Sequence, residues 1–235
     1  MKKLLLILAF LILLYPLHSE TFYRLIHLGT GGTVTSINNL GQIVGSTAVE
    51  DINKPNAVIF DSSGSKNHIN LQGVNDQKSE AESINDSGET VGTVYGINGN
   101  RKAVLFDSSG NGNNIDLGTL GGDDSTAHGI NDSGIIVGQA DTGSNAFAVR
   151  FNINGDNLNL GALGGFYSAA WDVSNNNQII GGAYDSYGQY RATLFDATGN
   201  ANNIDLGVVE EFYGNSFALA GLYELAKWKC ENPLN

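Results

Sequence analysis

Residues 130–138 read INDSGIIVG: an apolar residue, a polar turn closed by glycine, and an apolar run ending in a second glycine. The same phrase stands as INNLGQIVG at 37–45, INDSGETVG at 84–92 and, with substitutions, VSNNNQIIG at 173–181. A second phrase keeps step with it: AVIFDSSG at 57–64, AVLFDSSG at 103–110, AVRFNING at 148–155 and ATLFDATG at 192–199. The steps are 47, 46 and 43 residues for the first phrase and 46, 45 and 44 for the second. Two independent phrases holding one period mark an array of a single structural unit, which buries its core only by stacking on its neighbours.

Within a unit, short β-branched or aromatic runs alternate with Gly/Asn/Asp/Ser clusters, and the chain holds 31 glycines against 3 prolines. This composition reads as all-β. The third unit shows the expected plan: a strand through 127–131, a turn at 132–134, a strand at 135–140, a third near 148–152, a turn at 154–156 and a fourth at 158–160. Gly41, Gly88 and Gly134 close the first turn and Gly64, Gly110, Gly155 and Gly199 the second, where a left-handed residue is wanted. Asn177 replaces the first-turn glycine in the fourth unit, asparagine being the usual second choice for that conformation. Four strands per unit predict an all-β repeat fold, a propeller-like ring of four-stranded antiparallel blades. Four repeats are complete. The segment 22–28, similar to 203–207, and a partial unit after Gly207 through Phe217, Tyr223 and Trp228 are expected to meet as a composite fifth blade that closes the ring.

Lys2 and Lys3 precede an apolar run at 4–15, followed by Pro16 and Ser19. This is the layout of a secretory signal peptide over 1–19, leaving 20–235 as one repeat domain. The run is too short for a helix that needs about 20 residues to span a bilayer, so no stable membrane span is expected after cleavage, and the destination is periplasm or medium. Cleavage would move the formal charge from −12 to −14 by removing those two lysines. An acidic chain with no basic stripe speaks against nucleic acid as a partner. Cys230 is the single cysteine, so no internal disulfide can form.

Several phrases invite chemistry and are better read as architecture. The links LGTLGG at 117–122 and LGALGG at 160–165 lack the following helix that a phosphate loop requires. Asp107, Ser109 and Asn111 begin like a calcium loop but lack the distal acidic ligand. His27, His68 and His128 occupy three different repeat positions, and adjacent Asp123 and Asp124 do not make a spaced acid–base pair. No metal, cofactor or catalytic residue is expected.

The phrase DLGTLGG at 116–122, the spacing of Ser125, Ala127 and INDSGIIVG, and the AF or AV strand that follows resemble the HAF-repeat family of bacterial extracellular proteins. The resemblance covers nearly all of residues 22–207. It implies export and a β-repeat fold, and no particular reaction. Asn56, Lys102, Asn145 and Arg191 stand at or near the place of the family's histidine, so no role of that histidine carries over.

Function is expected on the blade face opposite the tight turns, where the loops at 47–56, 94–102, 140–145 and 183–191 differ in length, charge and aromatic content. The fourth repeat is the richest. Tyr167, Tyr184, Asp185, Tyr187, Tyr190 and Arg191 form the candidate ligand site, rings for stacking and two charges for polar contacts. The expected function is an exported, non-enzymatic module binding a glycan or a protein partner at the cell envelope or outside the cell. A glycan hydrolase or lyase on a propeller scaffold is the alternative, and an envelope scaffold with no small ligand the second.

Overall fold

The structure is a computed structural model that describes residues 25–28, 31–47, 55–63, 65, 67–71 and 78–207. The expected signal segment, Gly64, Cys230, the expected partial unit after Gly207 and most of the loop at 47–56 lie outside the described residues. Blade one comprises β1 (Gly32–Ile37), β2 (Ile43–Thr47), β3 (Asn56–Phe60) and β4 (Ile69–Asn70). Blade two comprises β5 (Ser79–Ile84), β6 (Thr90–Tyr95), β7 (Arg101–Phe106) and β8 (Ile115–Asp116). Blade three holds β9 (Ser125–Ile130), β10 (Ile136–Asp141), β11 (Ala146–Phe151) and β12 (Leu158–Gly161). Blade four holds β13 (Gly164–Val173), β14 (Ile179–Asp185), β15 (Tyr190–Phe195) and β16 (Ile204–Gly207).

Every blade is an antiparallel meander in chain order, and blades three and four are stitched by one parallel pair, Ala146 with Tyr167. The inner strands β1, β5, β9 and β13 touch one another in sequence, and β5, β9 and β13 each lie across the second and third strands of the blade before them. The blades therefore fan from a shared inner edge. The expected strand over 22–28 is not formed across its described residues: 25–28 are irregular and Leu25 is 98% exposed. Among the described residues no strand lies beside them to complete the hydrogen bonds a strand requires.

The repeated phrase has a local and a longer-range cause. Locally, the asparagine after the apolar residue holds the turn: Asn131 Oδ1 accepts the backbone N–H of Ser133 at 3.1 Å and of Ile135 at 2.9 Å. Asn38 and Asn85 repeat the pattern. The turn then closes on a left-handed residue, with φ of 76°, 82°, 74° and 64° at Gly41, Gly88, Gly134 and Asn177. The final glycine answers a different demand. The inner strand of each blade carries a β-bulge, at Thr35, Glu82, His128 and Trp171, where these residues drop out of register. The bulge pushes an inner-strand carbonyl onto the second strand, and a Cβ on Gly45, Gly92, Gly138 or Gly181 would overlap the oxygen of Thr33, Glu80, Thr126 or Ala169.

Three apolar clusters hold the blades together, each formed by one blade's outward face and the next blade's inward face. Val44, Ala57, Ile59 and Leu71 meet Ala81, Val94, Val104 and Phe106. Val91, Ala103 and Leu117 meet Ala127, Val149 and Phe151, and Val137, Ala148 and Leu160 meet Ala170, Ala183 and Phe195. Polar ladders follow the same steps. Asn114, Asn157 and Asn203 donate from Nδ2 to the link carbonyls of Leu71, Leu117 and Leu160 at 3.2, 2.7 and 2.8 Å. The Oδ1 atoms of the same residues cap the second turns of their own blades, and His68 fills this place in blade one by accepting the Asp61 N–H at Nδ1. The glycine-rich links are thus anchored by asparagine from the following blade.

Candidate functional site

The rings of the fourth repeat do come together, on the outward face of blade four. Tyr184 and Tyr190 face each other across β14 and β15, with ring centroids 5.0 Å apart. Tyr167, from β13, meets Tyr184 edge-on at 5.9 Å and Tyr190 at 6.2 Å. Two further rings belong to the group. Trp171 lies 6.2 Å from Tyr190, and Phe166 stacks on Tyr184 at 5.5 Å and 12°. Such ring pairs contribute about 0.5–1.5 kcal/mol each beyond their area burial.

Backbone choices in the same strands make room for them. Gly182 stands where the other blades carry Ser46, Thr93 and Gln139, and a Cβ there would run into the Tyr190 ring at 2.6 Å. Trp171 is the bulge residue of β13, and a bulge re-aims its side chain out of the ordinary alternation. Burial, reinforced by Tyr167 and Tyr184, pushes the Tyr190 phenol well above the ordinary tyrosine range, so it stays a neutral, packed ring. Tyr190 is therefore half-buried within the cluster and is not a loop-tip residue.

The candidate residues thus sort by position. Tyr187 sits at the tip of the β14–β15 loop, 89% exposed, and Phe166 presents its ring at 63% exposure. Tyr167, Tyr184 and Tyr190 are half-buried supports. Asp185 is occupied by its own turn, its Oδ1 accepting the N–H groups of Tyr187 and Gln189 at 2.9 Å each. Arg191 turns to β16 and pairs with Asp205, Nη2 to Oδ2 at 2.7 Å and Nε to both carboxylate oxygens at 3.0 and 3.2 Å. Asp185 and Arg191 thus each already have partners within blade four. Phe166, next to Tyr167 in the link, is the most exposed ring of the packed group.

The corresponding face of blade two shows what the position does in mid-array. Lys78 pairs with Glu80 at 2.9 Å and lies 4.3 Å over the Tyr95 ring, whose hydroxyl donates to Glu80 at 2.9 Å. Blade two keeps one ring there, Tyr95 at the place of Tyr184, and carries Lys78 and Arg101 where blade four has Tyr167 and Tyr190. The tight-turn side holds a second feature, a polar depression of about 270 Å³ lined by residues 37–39, 84–86, 130–132 and 173–175. Its polar groups bond from blade to blade. Asn39 donates through N and Nδ2 to the Asp86 carboxylate at 2.9 Å each, and the Asp86 N–H donates to Asp132 at 2.8 Å. Asn175 Nδ2 donates to Asp132 at 2.6 Å. The Asn39 bonds hold the Asp86 carboxyl below its ordinary value. Asp107 is likewise absorbed by its turn, with Oδ1 accepting the Ser109 N–H at 3.0 Å and Oδ2 the Asn113 N–H at 3.3 Å.

No family model matches the chain, and no curated protein does. Among solved structures, the crystal structure of TolB from Acinetobacter baumannii is similar, with a TM-score of 0.57 and 18% identity over 77% of this chain and 45% of that one. The chain thus spans less than half of the TolB chain. At this identity the likeness concerns the fold alone, and it supports a propeller-like arrangement of the antiparallel sheets. Among the described residues, no helix is long and apolar enough to cross a membrane.

Proposed function

We propose that the protein is an exported binding module that engages a glycan by stacking on the rim of blade four. The observation that carries this reading is the Phe166 ring, 63% exposed and held flat against Tyr184, next to a loop whose tip is Tyr187 at 89% exposure. A large exposed ring held in one orientation by a second ring beneath it loses little freedom on binding, and a sugar's apolar face suits such a surface. Polar specificity would come from the sugar's hydroxyls meeting backbone groups of residues 185–189, since Asp185 and Arg191 are already engaged. The apolar run at 4–15 behind Lys2 and Lys3, and the resemblance to extracellular HAF repeats, support export.

The test is a glycan array and an envelope-fraction pull-down with the purified chain, repeated with Phe166→Ala and Tyr187→Ala. Binding of a glycan class that falls at least tenfold in either variant, with the melting temperature held, supports the reading. Binding to envelope protein alone, or glycan binding indifferent to both variants, would refute it, and product release from the bound glycan would replace it with the hydrolase or lyase alternative.

A further inference from the structure

The parallel pair that joins blades three and four sets a second exposed residue beside Phe166. Ala146 at the start of β11 pairs with Tyr167 of β13. One step back along both segments brings Asn145 level with Phe166, and strands paired in this way lie about 5 Å apart. Asn145 and Phe166 are both exposed. Asn145 ends the short β10–β11 loop, where its backbone is already fixed. Its N–H donates to Thr142 Oγ1 at 3.2 Å, and its carbonyl accepts the Thr142 N–H at 2.8 Å and the Thr142 hydroxyl at 2.9 Å. Among the described residues no hydrogen bond engages its side-chain amide. An amide offering both donors and an acceptor thus stands beside the ring on a loop that needs little ordering to bind.

The preceding junction shows why this place is open. There the counterparts of Ala146 and Tyr167 are Arg101 and Asp124, and these close on each other. The Arg101 N–H donates to Asp124 Oδ1 at 2.7 Å, and Arg101 Nη2 lies 3.6 Å from Asp124 Oδ2. Ala146 brings only a methyl group to the same position, so no long side chain from the start of β11 fills the crevice beside the blade-four rings.

Charge narrows the class of sugar. Residues 125–207, which make up blades three and four, hold seven aspartates, no glutamate, no lysine and two arginines. Arg191 is held by Asp205, and Arg150 donates to the Ala197 carbonyl at 3.2 Å. A uronate or sulfated sugar would meet net repulsion, with both arginines already engaged. We infer that the site spans both blades and takes a neutral pyranose, its apolar face on Phe166 and two adjacent hydroxyls on the Asn145 amide, one accepting from Nδ2 and the other donating to Oδ1. The inference rests on the glycan reading and adds to it the polar side chain that selects the sugar and the charge class of the ligand.

Titration calorimetry of the full chain with three sets of oligosaccharides tests it: neutral glucan, xylan and galactan fragments, uronate fragments, and chitosan fragments. The expected result is a neutral fragment bound at least tenfold more tightly than any charged one. Asn145→Ala should weaken that binding about tenfold with the melting temperature held, since the loop bonds of Asn145 use its backbone alone. Asn145→Asp, which keeps an acceptor but removes the donor, should weaken it as well. Neutral-sugar binding that falls in Phe166→Ala but is indifferent to both Asn145 variants overturns this inference and leaves the stacking reading standing. Tighter binding of uronate or chitosan fragments overturns the charge class, and binding of none of the three sets overturns both readings.

Discussion

The bulge row supplies two half-buried titrating groups of opposite sense, and their pH dependence should be separable. Glu82 lies half-buried in β5 beside Glu80, and burial first, then the Glu80 charge, raises its carboxyl from 4.5 to about 7. His128 is the same residue of blade three, its Nε2 3.0 Å from the Thr126 hydroxyl, and burial first, then Arg101, lowers it from 6.5 to about 4. For Glu82 the folded state binds the proton more tightly than the unfolded chain, so its contribution is intact below 4.5 and is lost as pH rises through about 7. For His128 the unfolded chain binds the proton more tightly, so its contribution is intact above 6.5 and is lost as pH falls through about 4. Each displacement corresponds to at most about 3 kcal/mol at 1.36 kcal/mol per tenfold, and the solvent access both side chains retain lowers that figure. Between pH 4.5 and 6.5 the two slopes oppose each other, and the parent protein should show a nearly flat stability profile there. Urea unfolding from pH 4 to 8 would read this. Glu82→Gln should uncover a loss of stability toward acid, and His128→Gln a loss toward neutral pH, each by about 2–3 kcal/mol. Profiles of both variants parallel to the parent's would refute the reasoning.

Gly138→Ala should cost about 3 kcal/mol or more in urea unfolding, because its Cβ would displace the Thr126 carbonyl at the bulge, whereas Gly41→Asn at a left-handed turn with open space should cost less than about 1 kcal/mol. Thr90 is fully buried with a hydroxyl that finds no partner among the described residues, where the other blades have Ile43, Ile136 and Ile179, so Thr90→Val should raise stability by about 1 kcal/mol; a destabilised variant would mean the hydroxyl is satisfied. Tyr190→Ala should lower stability by about 3 kcal/mol, since its ring touches three others and covers Gly182, while Tyr187→Ala should leave the melting temperature unchanged. Equal effects of the two tyrosine variants in calorimetry would show the cluster not to be packed.

The candidate site was legible only as a region. The density of rings in the fourth repeat pointed to blade four, and the exposure of Tyr187 follows from its place between Ser186 and Gly188 in a tight loop. The roles within the region were not legible. Arg191 meets Asp205 from 14 residues away across β15 and β16, and nothing in the local sequence of the loop announces that pair. Tyr190 reads as a loop residue by its polar neighbours, yet it starts β15, and its burial depends on the glycine opposite, Gly182.

What the sequence determined by itself is whatever depends on a few consecutive residues. Strand order, antiparallel hairpins and the left-handed closing residues, down to Asn177 at φ 64°, follow from turn chemistry and from a period repeated in two phrases. The tertiary structure decided what depends on where one blade's surface meets the next. It turned the last glycine of the INDSGIIVG phrase into a steric requirement of the bulge and made the asparagines of the second turns into anchors for the preceding link. It also aimed Thr35, Glu82, His128 and Trp171, a row with no common chemistry, out of strand register. Backbone conformation is written residue by residue, whereas the bonds between blades belong to pairs of residues 43–47 positions apart, and only the packing of consecutive blades brings those pairs together.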